Sequence, residues 1–200
     1  MIKPETSNVS SQSGAGDVRE RILATASDLF YRQGVRAVGV DLIVEQAGVA
    51  KTSLYRHFPA KDDLIRAFLE REDEDFWRKW DQVAVANAQY PAAELEAHFQ
   101  WIGERVARPH YRGCPQLNVA AEFPDLDHPA RAVAFAHKIE LRRRLKTIIE
   151  RMDIPRPDEL ALQLAIIING AFLSAQLLAD ENPAEILIDM MRAQLAVSRL

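Results

Sequence analysis

The sequence contains one cysteine, Cys114, among its 200 residues. It can form no internal disulfide, and a lone thiol fits a reducing compartment. The longest apolar run, residues 160–179, is interrupted by four polar side chains and predicts no membrane span. No apolar segment of the signal-peptide type precedes Lys3. These absences favour a cytoplasmic protein without a membrane partner.

Patterns typical of cofactor and metal sites are also missing. There is no glycine-rich phosphate loop, and the five histidines lack paired spacing such as H-x-x-x-H, so we expect neither cofactor nor metal. Cys114 leaves three interpretations open. It is a buried structural cysteine, a redox-sensing thiol activated by Arg112, or the nucleophile of a helical enzyme with His128 or His137 as base.

The charge is distributed unevenly. The net charge is −4, but residues 17–66 carry 8 Lys and Arg against 7 Asp and Glu, whereas residues 67–200 carry 16 against 21. A polyanion would therefore be repelled by most of the molecule and directed to its N-terminal part.

The N-terminal part divides into an arm and three helices. Residues 1–16 are polar and rich in Ser and Gly, which predicts a disordered arm. Apolar residues then recur at helical spacing from Asp17 until Gly34 ends the pattern. A short second helix ends at Gly48, and a third, from about Ala50 to His57, is closed by Pro59.

The second and third helices, joined by the sequence AGVA, form a helix-turn-helix. If Leu54 and Phe58 point into the core, six neighbours form three i, i+4 pairs on the outward side, with no carboxylate among them. We call these six residues the recognition surface: Lys51 with Tyr55, Thr52 with Arg56, and Ser53 with His57.

The recognition surface suits the major groove of double-stranded DNA. Lys51, Tyr55 and His57 can bond phosphates, whereas Thr52, Ser53 and Arg56 can reach base edges. Lys61 begins the next helix, where backbone N–H groups also favour a phosphate. The alternative for Tyr55 and His57 is a purely structural role in capping and packing.

The stretch IVEQAGVAKTSLYRHFPAKDDL resembles the DNA-binding signature of the tetracycline-repressor (TetR) family of bacterial transcriptional regulators. The preceding RERILATASDLFYRQGV is similar to the first helix of that family. Two departures concern helix caps: Val38 and Gly39 stand where the family often has a capping Thr, and Ala50 replaces the common Ser. The resemblance implies an N-terminal helix-turn-helix domain, residues 17–63, and a C-terminal effector and dimerisation domain, residues 64–200.

The C-terminal part reads as helices throughout, so the fold class is all-α. Breaks at proline-rich points predict six helices, which with the first three make the nine that the family implies: about 61–87, 92–107, 115–122, 128–152, 157–179 and 184–198. The last two are the most apolar. The resemblance implies that they form a four-helix homodimer interface, the alternative being an ordinary monomer core.

The middle helices predict a small-molecule pocket, although an aromatic residue taken alone is more often plain core. The candidate lining residues are Trp77, Trp80, Phe99, Trp101, Cys114, Asn118 and Phe135. We therefore expect this protein to be a dimeric repressor that binds a palindromic operator and is released from it by a small-molecule effector. An effector-independent DNA-binding protein and the Cys114 enzyme are the alternatives.

Overall fold

The computed structural model describes residues 11–178 and 181–198, and within them the fold is all-helical, as expected. No helix in these two ranges has the length and hydropathy needed to cross a bilayer. The described chain contains nine α-helices: α1 Ser11–Gln33, α2 Val40–Ala47, α3 Lys51–His57, α4 Lys61–Asn87, α5 Pro91–Val106, α6 Pro115–Glu122, α7 Pro129–Glu150, α8 Pro157–Leu173 and α9 Pro183–Ser198.

Two helix ends differ from the sequence prediction by more than two residues. Helix α1 begins at Ser11, so the last six residues of the expected arm are helical, and residues 1–10 lie outside the described chain. Extending an existing helix costs little once a buried face has nucleated it. Helix α8 ends at Leu173, because Ser174 leaves the helical conformation (φ −97°, ψ 13°) and Ala175–Leu178 continue as a 3₁₀ turn.

The chain forms two compact units, with the boundary after Phe68. The first unit contains α1, α2, α3 and the beginning of α4. Ile22, Ile43 and Leu54 are fully buried in its core, and the Phe30 and Phe68 rings lie 5.8 Å apart. The apolar face of each short helix is thus covered by the other helices, which gives stability that a seven-residue helix lacks alone.

Gly48 makes the turn between α2 and α3. It adopts the left-handed conformation with φ 60°, its N–H donates to the Glu45 carbonyl, and the Val49 N–H donates to the Val44 carbonyl. This is the glycine cap that ends a helix sharply. Ala47, 4% exposed, packs beneath the turn, so the direction in which α3 leaves it is fixed.

The second unit packs α5 against α9, α7 against α6 and α8, and α8 against α9. A Cβ atom on Gly103 would overlap the backbone of Ala184, which shows how closely α5 and α9 approach. An aromatic cluster fills the centre of this unit. The rings of Phe76 and Trp101 are 5.0 Å apart, and Trp80 stacks on His98 at 3.7 Å.

We predict that Gly48→Ala lowers the free energy of unfolding by about 1 kcal/mol, because an L-residue is strained at this φ. No atom lies within 4 Å of the added Cβ, so the loss is conformational and not steric. Urea denaturation followed by circular dichroism measures it. Gly16→Ala, inside α1 with equally open space, is the control and should stabilise slightly. Equal effects of the two changes would contradict the strained turn.

Candidate nucleic-acid interface

Helix α3 is positioned by two buried side chains. Leu54 is 0% exposed and Phe58, which caps the helix, is 2% exposed. The Arg19 guanidinium of α1 lies 5.0 Å from the centre of the Phe58 ring. Pro59 then prevents the helix from continuing. Because α3 has only seven residues, these two anchors determine which side of it faces outward.

The recognition surface lies on that outward side. Lys51, Thr52, Tyr55 and Arg56 are exposed, whereas Ser53 and His57 are half-buried. Tyr55 is 43% exposed, so much of its side chain is accessible to a partner. Lys61 is half-buried at the first residue of α4, as expected. The structure therefore exposes four of the six residues of the recognition surface on α3 and partly covers the other two.

A side chain from a neighbouring helix also reaches the recognition surface. The Lys51 ammonium lies 2.6 Å from a carboxylate oxygen of Asp41, in the first turn of α2, so a carboxylate does border the recognition surface. The pattern within α3 could not reveal this contact, which links two helices. The hydrogen bond that Lys51 donates to the Asp41 carboxylate raises the pKa of Lys51. Lys51 therefore stays charged, and Asp41 competes with a DNA phosphate for it.

Neither short helix of the motif has a side-chain cap. Gly39 and Ala50 occupy the N-cap positions of α2 and α3, both with extended backbone and no side-chain hydrogen bond. The sequence departures from the family pattern therefore leave the first N–H groups of each helix without a side-chain acceptor. Such N–H groups are also donors that can face a phosphate.

The seven predicted ligand contacts do not form one site. Five of them lie in or against the core of the second unit: Trp77, Trp80, Phe99, Trp101 and Cys114. Asn118 donates to the Arg112 carbonyl at 2.8 Å. Phe135 is 68% exposed and lines a groove of about 510 Å³ between α6 and α7. Phe135 is the one predicted contact among this groove's lining residues.

Cys114 is buried, at 5% exposure, and lines a narrow cleft that also includes His137. The Lys138 Nζ lies 3.4 Å from its sulfur. The His137 Nδ1 lies 2.5 Å from a carboxylate oxygen of Asp73, which also accepts a hydrogen bond from the Trp77 indole. Burial lowers the pKa of His137 in spite of this carboxylate. His128 instead stacks on Phe123 at 3.7 Å, away from the residues of this cleft.

Three polar residues of the α6–α7 groove carry no distinct sequence signal: Gln116, Arg131 and Lys138. Lys138 and Arg131 belong to a helix with many charges, where helical periodicity alone cannot separate a groove from a solvated face. Gln116 follows Pro115 at the start of α6 and looks like an ordinary first-turn residue. Their proximity depends on how α6 and α7 pack.

Two family models match the chain. Residues 22–68 match the model described as bacterial regulatory proteins, tetR family, and residues 91–191 match the tetracyclin repressor-like, C-terminal domain. The second match alone covers about half of the chain. The chain therefore belongs to the TetR family, which confirms the resemblance seen in the sequence.

Known relatives extend over nearly the whole chain. The HTH-type transcriptional regulator YjdC of Escherichia coli K12 is 22% identical over 170 residues, 84% of this chain and 87% of YjdC. The structure of SCO4454, a TetR-family regulator from Streptomyces coelicolor, has a TM-score of 0.87 at 27% identity, with 92% and 97% of the two chains covered. That of sav143 from Streptomyces avermitilis has a TM-score of 0.81 at 30% identity, covering 92% and 98%. The protein is thus a transcriptional regulator with a helix-turn-helix DNA-binding domain, and it is not an enzyme.

We predict that Asp41→Asn strengthens binding to any DNA duplex several-fold at low salt. The change keeps the side-chain shape, removes a negative charge beside the phosphates and releases Lys51 for them. Fluorescence anisotropy with a mixed-sequence duplex measures the effect. A low salt concentration of about 50 mM keeps the phosphate contacts strong. Asp28→Asn makes the same change of net charge on α1, where Asp28 pairs with Arg32. If both variants gain affinity equally, the Lys51–Asp41 pair does not oppose DNA binding.

Proposed function

We propose that the protein is a ligand-responsive repressor that binds a palindromic operator as a homodimer and leaves it when a small molecule binds the second unit. The observation that carries this proposal is the recognition surface, where Lys51, Tyr55 and Arg56 are exposed beside the buried anchor Leu54. Lys51 and Tyr55 provide phosphate contacts, and Arg56 suits the base edges of the major groove.

Homodimerisation is supported by exposed apolar residues on the last two helices. On α8, Leu162, Ile166 and Leu173 are 44%, 61% and 67% exposed. On α9, Met190 and Val197 are 45% and 64% exposed. Their spacing places them along one side of each helix, and such stripes are costly to leave in water. A second copy of the same two helices would cover them in a symmetric interface.

A palindromic operator follows from such a dimer. Two recognition helices related by a twofold axis meet two inverted half-sites about one DNA turn apart, roughly 34 Å.

Repression is carried from the usual behaviour of the family. A dimer whose two DNA-binding units are held at a different spacing no longer fits both half-sites, so an effector that favours such a state would release the DNA.

Helix α4 supplies a continuous connection for this release. It starts at Lys61, just after the recognition helix, and runs to Asn87, with residues in both compact units. A ligand that shifts α4 within the second unit can therefore alter the DNA-binding unit through the same helix. An effector-independent regulator would need the recognition surface and the dimer, but not this coupling.

We predict that selection of bound duplexes from a random DNA pool yields a palindromic consensus with the wild-type protein. Tyr55→Ala should lose most of the enrichment, because Tyr55 contributes an exposed phosphate contact without supporting the core. Ile166→Glu places a charge on the α8 stripe, where it should prevent dimerisation and leave only weak half-site enrichment. Sedimentation velocity on the same three proteins reports their association state.

The outcomes separate the parts of this proposal. A non-palindromic consensus bound by a monomer would contradict the dimeric operator. Unchanged enrichment with Tyr55→Ala would mean that the recognition surface does not face DNA as proposed. A dimer that persists with Ile166→Glu would place the interface elsewhere.

A further inference from the structure

The groove between α6 and α7 has the size of a small-molecule site. Its volume is about 510 Å³, and six of its nine lining residues are Leu, Ala or Phe. Leu126 and Phe135 are 75% and 68% exposed on its walls. Large apolar side chains left open to water favour a ligand with an apolar body.

Arg131 belongs to the wall of the groove. Its Nη1 donates to the carbonyls of Ala120 and Phe123, at 2.9 and 2.7 Å, and so holds the chain at the end of α6 against α7. Both acceptors are neutral, so Arg131 keeps its positive charge, but these two bonds fix its Nη1 in the wall at the end of α6.

Lys138 brings a second positive charge to the groove. Its ammonium donates to the Asn169 side-chain oxygen at 2.9 Å and to the Cys114 sulfur at 3.4 Å, which are both neutral acceptors. A lysine has three donors, so one remains for a further acceptor. No Asp or Glu in the described chain forms an ion pair with Lys138. A half-buried cation without a counter-charge attracts an anion.

Gln116 offers a second polar contact. It is 2% exposed, and its Nε2 donates to the Leu69 carbonyl of α4 at 2.9 Å. Its Oε1 is buried and has no hydrogen-bond partner within the described residues. A buried acceptor without a donor is costly, so a ligand N–H or O–H placed there would be bound favourably.

We propose that the α6–α7 groove binds an amphipathic carboxylate that also carries a hydroxyl or amide donor. The carboxylate pairs with Lys138, the donor bonds Gln116 Oε1, and the apolar body packs on Leu117, Leu126 and Phe135. The identification of this molecule as the effector rests on the proposed function above, whereas its binding does not. Gln116 also donates to the Leu69 carbonyl of α4, so a ligand bound to Gln116 Oε1 is linked to α4 through this one side chain.

Isothermal titration calorimetry on the full chain without DNA tests the site. The probe is 3-hydroxyoctanoate, its methyl ester removes the charge, and octanoate removes the hydroxyl donor. We expect the acid to bind about tenfold more tightly than the ester, as for one charge-assisted hydrogen bond, and more tightly than octanoate. Equal affinities of the acid and the ester, or no binding of the acid, would overturn the proposal.

Four variants locate the probe. Lys138→Met should remove the preference for the acid over the ester, and Lys138→Arg should retain it. Lys79→Met, an exposed lysine on α4 outside the groove, makes the same charge change and should alter nothing. Ala120→Phe fills the groove and should abolish binding of both compounds, so the test does not depend on Lys138→Met alone. Unchanged acid binding in Lys138→Met or Ala120→Phe would place the probe elsewhere.

Release of a selected duplex is measured separately. If 3-hydroxyoctanoate binds in a Lys138-dependent way but releases no DNA, the groove assignment stands and the effector role in the proposed function fails. If the protein selects a palindrome but does not bind the acid, the groove assignment fails and the DNA-binding function stands.

Discussion

Burial of Leu54 and Phe58 determines what the DNA-binding unit can present to a partner. A helix of seven residues has too few backbone hydrogen bonds to be stable alone, so its orientation comes from these two anchors and from the turn at Gly48. Everything on the opposite side follows from that burial, including the exposed Lys51 and Tyr55. The unit thus presents a defined surface on a helix of only seven residues.

The second unit contains polar groups that an apolar core would not need. Glu94, 4% exposed, pairs with Arg151 at 2.6 Å, and His98 stacks on Trp80. Burial lowers the pKa of His98 to about 3, so its ring is neutral at physiological pH. The Glu94–Arg151 pair helps to specify one packing arrangement, whereas the unpartnered oxygen of Gln116 leaves a position where a ligand can add a bond.

Much of the fold was predictable from the sequence, because buried side chains at helical spacing and prolines at breaks mark the helices directly. The inward direction of Leu54 and Phe58 followed from the same spacing. The Lys51–Asp41 pair could not be predicted in this way, and neither could the proximity of Gln116 to Lys138. Each contact joins two different helices, and no local sequence pattern shows which helices pack together. The end of α8 was missed for another reason: apolar residues continue past Ser174, where the backbone does not.

The most direct test of the account is the salt dependence of DNA binding, because its central claim is that the outward side of α3 meets phosphates. The slope of log affinity against log salt should fall by about one for Lys51→Ala, since one phosphate contact releases about one counterion. Lys79→Ala, exposed on α4, should leave the slope unchanged. An unchanged slope for Lys51→Ala would contradict the claim that this side of α3 faces the DNA backbone.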